Sequence, residues 1–161
     1  MPSGKVHAFT SVLVTSAVGS TLLVAGGPPL ASVAAITGGC LAGLVVNPDL
    51  DVRRPTHSHY LVRRSGGLIL ALAWRVLWWP YANLLIPYHR HPLSHFPILG
   101  TAVRVGYLLG ILALAWWVMR VFFPLPAFTP LLFEPLWWWG FGGLALVDIL
   151  HALMDWFWPF D

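Results

Sequence analysis

Long apolar segments, separated by short polar stretches, run through the whole chain. Residues 9–25 and 30–46 are almost continuously apolar and are divided by a Gly-Gly-Pro-Pro turn, and two further apolar runs cover residues 98–123 and 131–154. A helix needs about 17 to 25 apolar residues to cross the hydrocarbon core of a bilayer. The pattern therefore predicts four transmembrane helices, the first pair joined as a tight antiparallel hairpin.

A fifth apolar stretch, about residues 67–86, has a different pattern. Arg75, Pro80 and Asn83 interrupt it. Its tryptophan and tyrosine residues are types that concentrate at the membrane–water interface. We therefore predict an interfacial or re-entrant helix between the second and third spans, with a fifth spanning helix as the alternative. The predicted fold is a single all-α membrane domain, residues 1–161, in which four transmembrane helices form a bundle.

The first apolar run also has features of a cleaved signal peptide, since Lys5 precedes it and small residues lie near Ser20. Because the segment is present in the chain, we interpret it as the first transmembrane helix.

The composition excludes a soluble globular domain. Hydrophobic residues make up 58% of the chain and charged residues only 9%, whereas soluble domains carry about 25% charged residues. The single cysteine, Cys40, lies inside an apolar run. Neither a disulfide framework nor a thiolate zinc site is therefore expected.

The basic residues predict the orientation in the membrane. With four spans, both termini and the middle loop share one side, and most basic residues fall there: Lys5, Arg53, Arg54, Arg63, Arg64, Arg75 and Arg90. Only Arg120 and Glu134 lie near the opposite loops. Cytoplasmic loops are enriched in lysine and arginine. We expect a multi-pass protein of a bacterial inner membrane with both termini in the cytoplasm.

The same side collects the histidine and aspartate residues that lie near the predicted helix ends. These candidate ligands are His7, Asp49, Asp51, His89, His91, His95, Asp148, His151 and Asp155. Asp148, His151 and Asp155 are spaced three and four apart and share one face of a helix. If residues 67–86 crossed the membrane, the His89–His95 stretch would lie opposite Asp49, so the topology and the site form one hypothesis.

Other roles compete for several of these residues. His57 and His59 lie in a basic loop, where a solvated or headgroup-contacting role is favoured over metal binding. His91 is either a further ligand or the cap of the helix that Pro92 begins.

Charge pairing and anchoring are the alternatives for the charged candidates. Asp49 and Asp51 are close in sequence to two arginines with which they can pair. Both aspartates point the same way only if their backbone is extended. Arg90 and Arg104 are candidates for binding a phosphate or another anion, although membrane anchoring is the commoner role of such arginines.

The candidate ligands are imidazoles and carboxylates without sulfur, a set that suits Zn²⁺ first and also Mn or Fe. A tetrahedral zinc ion needs only four ligands, so the set has room for one or two ions. A two-metal site activates water and clamps a phosphodiester or similar group. Arg90 is then the residue expected to contact a phosphate.

Several short motifs together resemble a family of small bacterial membrane proteins that are described as metal-binding and have no assigned function. The motifs are Met1-Pro2-Ser3-Gly4-Lys5 with His7, Asn47-Pro48-Asp49-Leu50-Asp51, Trp79-Pro80-Tyr81, His89-Arg90 with Leu93-Ser94-His95, Gly100-Thr101 with Arg104, and His151 with Asp155. More distantly, the chain is similar to inner-membrane metal-dependent hydrolases. The resemblance implies a metal site made by His7, Asp49, Asp51, His89, His95, His151 and Asp155.

The function expected from these features is metal binding in the membrane. Hydrolysis of a membrane-proximal or phosphorylated substrate at the cytoplasmic face is the reaction that such a site suggests. The alternative is a non-catalytic accessory subunit of a larger respiratory or photosynthetic membrane complex. The expected partners are the lipid bilayer and other membrane subunits rather than nucleic acid.

Overall fold

The computed structural model describes residues 4–126 and 134–157, and every regular element in these two ranges is helical. The helices are α1 Gly4–Ala25, α2 Leu30–Ala42, α3 His57–Pro80, α4 Pro92–His95, α5 Leu99–Phe122 and α6 Pro135–Phe157. A 3-10 turn, Pro48–Asp51, lies between α2 and α3, and a π-helical turn, Tyr81–Leu85, follows α3. The prediction of an all-α fold is confirmed for these residues.

By length and composition, four helical segments of the described chain can cross a membrane. They are Gly4–Ala25, His57–Leu85, Leu99–Phe122 and Pro135–Phe157. α2 is apolar but has only 13 residues, about 20 Å at 1.5 Å per residue. The predicted 30–46 helix was therefore too long, since the chain leaves the α-helix after Ala42 and continues as a turn. The start of the predicted fourth span, residues 131–133, lies outside the described residues.

α3 is a bent helix and not one straight rod. Gly67, at φ 75° and ψ −170°, has a conformation that essentially only glycine adopts. His59 and Arg75 lie on opposite sides of this glycine along the chain and line the same cavity. A continuous helix would hold them about 24 Å apart. The limbs before and after Gly67 therefore fold back on each other, and the two ends of α3 lie on the same side of the hairpin.

α2 and α6 pack with their backbones in contact. A Cβ atom at Gly39 would collide with the backbone of Gly140, and one at Gly143 would collide with the carbonyl group of Ile36. The Cys40 thiol lies 3.3 Å from the Gly143 carbonyl oxygen. Small residues at these positions let the helices approach closely, so α2 packs tightly along α6.

A small buried core lies beneath the 3-10 turn. Leu50 of that turn packs with Trp78, Tyr81 and Ile86, all at most 1% exposed. Tyr107 of α5 packs against the same core and donates a hydrogen bond to the carbonyl group of Leu77. The C-terminal end of α3, together with α5, therefore supports the turn that carries Asp49 and Asp51.

Candidate metal centre

Four parts of the chain bring the predicted ligands to one end of the helices. His7 lies in the first turn of α1, and Asp49 lies in the 3-10 turn that follows α2. The remaining ligands come from the segment around α4 and from the last turns of α6, and the structure brings together all seven residues implied by the resemblance. Their binding of metal stays a prediction.

One triad of potential ligands consists of His7, His151 and Asp155. One ligand atom from each residue lies within 4.8 Å of the others. His7 Nε2 is 3.3 Å from Asp155 Oδ1, and His151 Nε2 is 3.6 Å from Asp155 Oδ2. The two imidazole rings stack with their centroids 3.8 Å apart. Because both histidines are less than 10% exposed, this triad lies inside the protein.

A second triad consists of Asp49, His89 and His95, which also offer ligand atoms within 4.8 Å of one another. The His89 and His95 rings meet edge to face with centroids 5.0 Å apart. His151 Nε2 lies 3.5 Å from Asp49 Oδ1. The two triads are therefore adjacent, with His151 at their boundary.

Asp51 lies behind the second triad and not within it. Its fully buried carboxylate is 2.6 Å from His89 Nδ1 and 3.3 Å from His95 Nδ1. It also accepts hydrogen bonds from Ser94 Oγ at 2.6 Å and from the Arg90 backbone N–H at 3.1 Å. Carboxylates in this position orient metal-binding histidines through the ring nitrogen that faces away from the metal. Asp51 thus lies outside both triads and contacts the Nδ1 atoms of His89 and His95. Its predicted role as a metal ligand stays a prediction.

The backbone explains why the two aspartates differ. An extended segment would have pointed both side chains the same way, but Pro48–Asp51 is a 3-10 turn. At three residues per turn, side chains two positions apart are rotated by about 240°. Asp49 therefore faces His151, while Asp51 faces His89 and His95.

The electrostatics keep both aspartates ionised. Burial opposes ionisation of Asp51, but the hydrogen bonds from His89, His95 and Ser94 outweigh it and hold the pKa of its carboxyl well below the usual range. Burial also opposes ionisation of Asp49, yet the imidazole of His151, whose Nε2 is 3.5 Å from Asp49 Oδ1, lowers the pKa of this carboxyl. The hydrogen bond to Asp51 raises the pKa of His89. A metal ion at His89 must therefore compete with a proton.

The buried polar atoms of the triads test whether a metal ion fits. His7 Nδ1, His95 Nε2, His151 Nε2 and both carboxylate oxygens of Asp155 are buried and have no hydrogen-bond partner among the described residues. More than about 90% of buried polar groups are normally satisfied. Nitrogen lone pairs and carboxylate oxygens are the ligands of zinc and related divalent metals. A divalent cation fits this set of unsatisfied atoms.

Two of the other predicted residues form a buried ion pair next to the centre. Arg104 is fully buried and pairs with Asp148, which also accepts a hydrogen bond from Thr101. Arg104 also donates to the Ser94 carbonyl group at 2.6 Å. Asp148 belongs to neither triad, and the guanidinium of Arg104 is engaged within the protein, so both residues support the α4 segment from below.

The remaining two predicted residues, His91 and Arg90, lie at the edge of the centre. His91 caps α4, since its Nδ1 accepts a hydrogen bond from the backbone N–H of Leu93 at 3.2 Å. It lies outside both triads. Arg90 has a half-exposed side chain whose guanidinium is 3.9 Å from Asp155 Oδ2. Of the two predicted anion-binding arginines, Arg90 is therefore the accessible one.

Ser94 is the contributor that ligand spacing alone did not identify. It is 1% exposed and bridges the Asp51 carboxylate and His95 Nδ1, at 2.6 Å and 2.9 Å. A serine hydroxyl is too common to signal a site by itself. Its place beside His95 in a polar stretch between apolar runs was the signal that could have indicated it.

Histidine and aspartate residues at one end of a set of long apolar helices define a class, that of helical metal-binding proteins with membrane-type segments. The chain belongs to the family of uncharacterized metal-binding proteins DUF2227, whose model matches residues 2–160. The resemblance expected from the sequence motifs is thereby confirmed. Comparisons with curated proteins and with solved structures gave no match.

Proposed function

We propose that this chain is an integral membrane, metal-dependent hydrolase that acts at the cytoplasmic face on a membrane-proximal or phosphorylated substrate. The observation that carries the proposal is the adjacency of two ligand triads that contain buried, unsatisfied donor atoms. Each triad offers three protein ligands. Catalytic zinc sites typically use three protein ligands and keep a further position open.

The residues around the triads supply binding and orientation. Asp51 and Ser94 fix the rings of His89 and His95, and Arg90 offers a cation at the edge of the centre for an anionic group. One or two divalent ions, Zn²⁺ first and Mn or Fe second, would supply Lewis-acid stabilisation of charge that develops on the substrate.

The hairpin of α3 supports a placement at the membrane interface. Arg63 and Arg64 are exposed and lie close to Gly67 at its tip. A charged residue at the centre of the bilayer costs about 2.5 to 3.5 kcal/mol or more. A span or a re-entrant hairpin would carry these arginines into the bilayer, so the cost favours the interfacial form of the predicted helix. The basic residues on the same side support the cytoplasmic orientation of the centre.

Elemental analysis of the detergent-purified protein tests the metal centre. We expect about one or two divalent ions per chain, reduced by His95→Ala and by His151→Ala. His91→Ala is the matched control, because His91 lies in the same segment as His95 but outside the triads. A folded protein without metal, or equal losses in the His91 and His95 variants, contradicts the proposed centre.

Turnover of chromogenic phosphomonoesters and phosphodiesters tests the reaction. The metal-loaded protein should hydrolyse one of these classes, and the His95→Ala variant should lose the activity. Arg90→Gln should raise KM more than it lowers kcat, because Arg90 is proposed to bind the anionic group and not to hold the metal. If the metal-loaded protein is inert towards phosphate, carboxylate and amide esters alike, the hydrolase proposal fails.

An accessory role in a membrane complex is the second candidate, and α5 offers a surface for partner subunits as well as for lipid. Large side chains along its outer half are exposed, including Leu114, Trp117, Val121 and Phe122 at 60% or more. Purification at native expression levels separates the two functions. Recovery only within a large stable complex, with a metal whose coordination is completed by protein ligands, favours the accessory role.

A further inference from the structure

A cleft opens beside the candidate metal centre, between the segment around α4 and the last turns of α6. Its volume is about 470 Å³, within the range of about 300 to 1,000 Å³ typical of small-molecule sites. The cleft is lined by Arg90, Pro92, His95, Phe96, Pro97, Ile149, Ala152, Leu153, Asp155 and Trp156. It therefore shares two residues with the triads.

The two ends of the cleft differ in chemistry. The polar end carries Arg90 together with His95 and Asp155, one from each triad. The guanidinium of Arg90 is 3.9 Å from its nearest carboxylate oxygen, beyond normal hydrogen-bond distance. It is therefore available to a second anion. An anionic group at this end would contact Arg90 beside the metal ligands.

The rest of the wall is apolar. Phe96 and Leu153 line it, with 63% and 38% of their surfaces exposed, and Ile149 and Ala152 continue the same wall along α6. Burying such surface is worth about 25 cal/mol per Å². A ligand with a hydrocarbon chain would use this wall, whereas a small soluble phosphate ester would leave it bare.

We propose that the cleft binds an anionic amphiphile, with its phosphate group beside Arg90 and the triads and its hydrocarbon chain along the Phe96–Leu153 wall. This inference rests on the proposed function, because it names the substrate class of the same centre. The chemistry fits a single-chain phosphate monoester drawn from the membrane interface. A free phosphate ester shares the headgroup chemistry, and the experiment separates the two.

Native mass spectrometry from detergent reports bound metal and bound lipid on the same molecule. The probes are 1-oleoylglycerol 3-phosphate, glycerol 3-phosphate without the chain, and monoolein without the phosphate. The wild-type protein should retain one molecule of the oleoyl phosphate. It should bind each of the other two probes at least about tenfold more weakly, since one lacks the hydrocarbon chain and the other lacks the phosphate group.

Two variants with matched controls locate the binding. Ala152→Phe fills the cleft and should weaken binding of the oleoyl phosphate at least about tenfold without changing the metal content. Its control, Ala115→Phe on the exposed surface of α5, should change neither lipid binding nor metal content. Arg90→Gln should weaken binding of the oleoyl phosphate by about tenfold or more, as expected for the loss of one charge-assisted hydrogen bond. It should leave binding of monoolein unchanged. Arg54→Gln, an exposed arginine outside this cleft, is its control.

The outcomes distinguish the two proposals. Equal binding of the oleoyl phosphate by the wild-type and Ala152→Phe proteins overturns the cleft. Equal affinity for glycerol 3-phosphate also overturns it and identifies a free phosphate ester as the ligand. If the cleft variants behave as expected but the wild-type protein holds no metal and hydrolyses no ester, the hydrolase proposal fails and the amphiphile site stands.

Discussion

Replacing Asp51 with asparagine tests whether a buried carboxylate orients the histidines of the second triad. Asparagine keeps the volume of the side chain but replaces one acceptor oxygen with an N–H₂ donor. Asp51 Oδ2 accepts from the Arg90 backbone N–H and from Ser94 Oγ. Since the backbone N–H cannot reverse its role, the asparagine oxygen should take this side. The amide nitrogen then faces His89 Nδ1.

That arrangement changes the tautomer of one ligand. In the wild-type protein, His89 Nδ1 lies 2.6 Å from Asp51 Oδ1, so its proton points at the carboxylate and Nε2 keeps its lone pair for a metal. Facing an amide N–H₂ group, Nδ1 must accept and Nε2 must carry the proton. Changes in the groups that orient metal-binding histidines typically weaken metal binding about 10- to 100-fold. This corresponds to about 1.4 to 2.8 kcal/mol.

Competition with a chromogenic zinc chelator in detergent measures this loss. Asp51→Asn should bind weakly but still reach the wild-type stoichiometry at high zinc, while His91→Ala should bind within about threefold of wild type. Unchanged affinity in Asp51→Asn would refute the orienting role. Loss of a full equivalent even at saturating zinc would show that Asp51 is itself a ligand, as the sequence motif implied.

Three further substitutions test how the surroundings hold the centre, each followed by thermal unfolding of the detergent-purified protein. Arg104→Met leaves the buried carboxylate of Asp148 unpaired and should cost about 3 to 5 kcal/mol, much of which Asp148→Leu in the same chain should restore. Gly143→Ala pushes a Cβ atom into a backbone carbonyl group of α2 and should cost about 1 to 3 kcal/mol. Gly67→Ala forces alanine into a conformation that only glycine tolerates, at about 1 to 3 kcal/mol, whereas Gly106→Ala, with open space around it, should not destabilise. An unchanged midpoint for Gly67→Ala would contradict the hairpin.

The convergence of the ligands was predictable because it depends on helix ends. His7, His151 and Asp155 belong to long apolar helices whose extents follow from hydropathy, and spacings of three and four residues fix a shared face. The end at which such residues meet therefore follows from the sequence pattern. Their separation into two triads does not, because it depends on side-chain directions within short irregular turns.

The hairpin of α3 is a second feature that the sequence pattern could not predict. The limb from His57 to Gly66 is helical, but its polar composition gave no apolar period to indicate a helix. Gly67 marks the reversal only through its backbone angles, and no feature of the sequence separates it from Gly66. The end of α2 at Ala42 was likewise hidden, since apolar residues continue to Val46 while the backbone has already turned.

The position of His151 between the triads has a consequence for metal loading. Its Nε2 lies 3.5 Å from Asp49 Oδ1 and 3.6 Å from Asp155 Oδ2. An imidazole nitrogen has one lone pair and serves one ion only. An ion bound by the first triad would withdraw His151 from Asp49 and would free that carboxylate for an ion in the second triad. The affinity measured for one ion would then depend on whether the other is already bound.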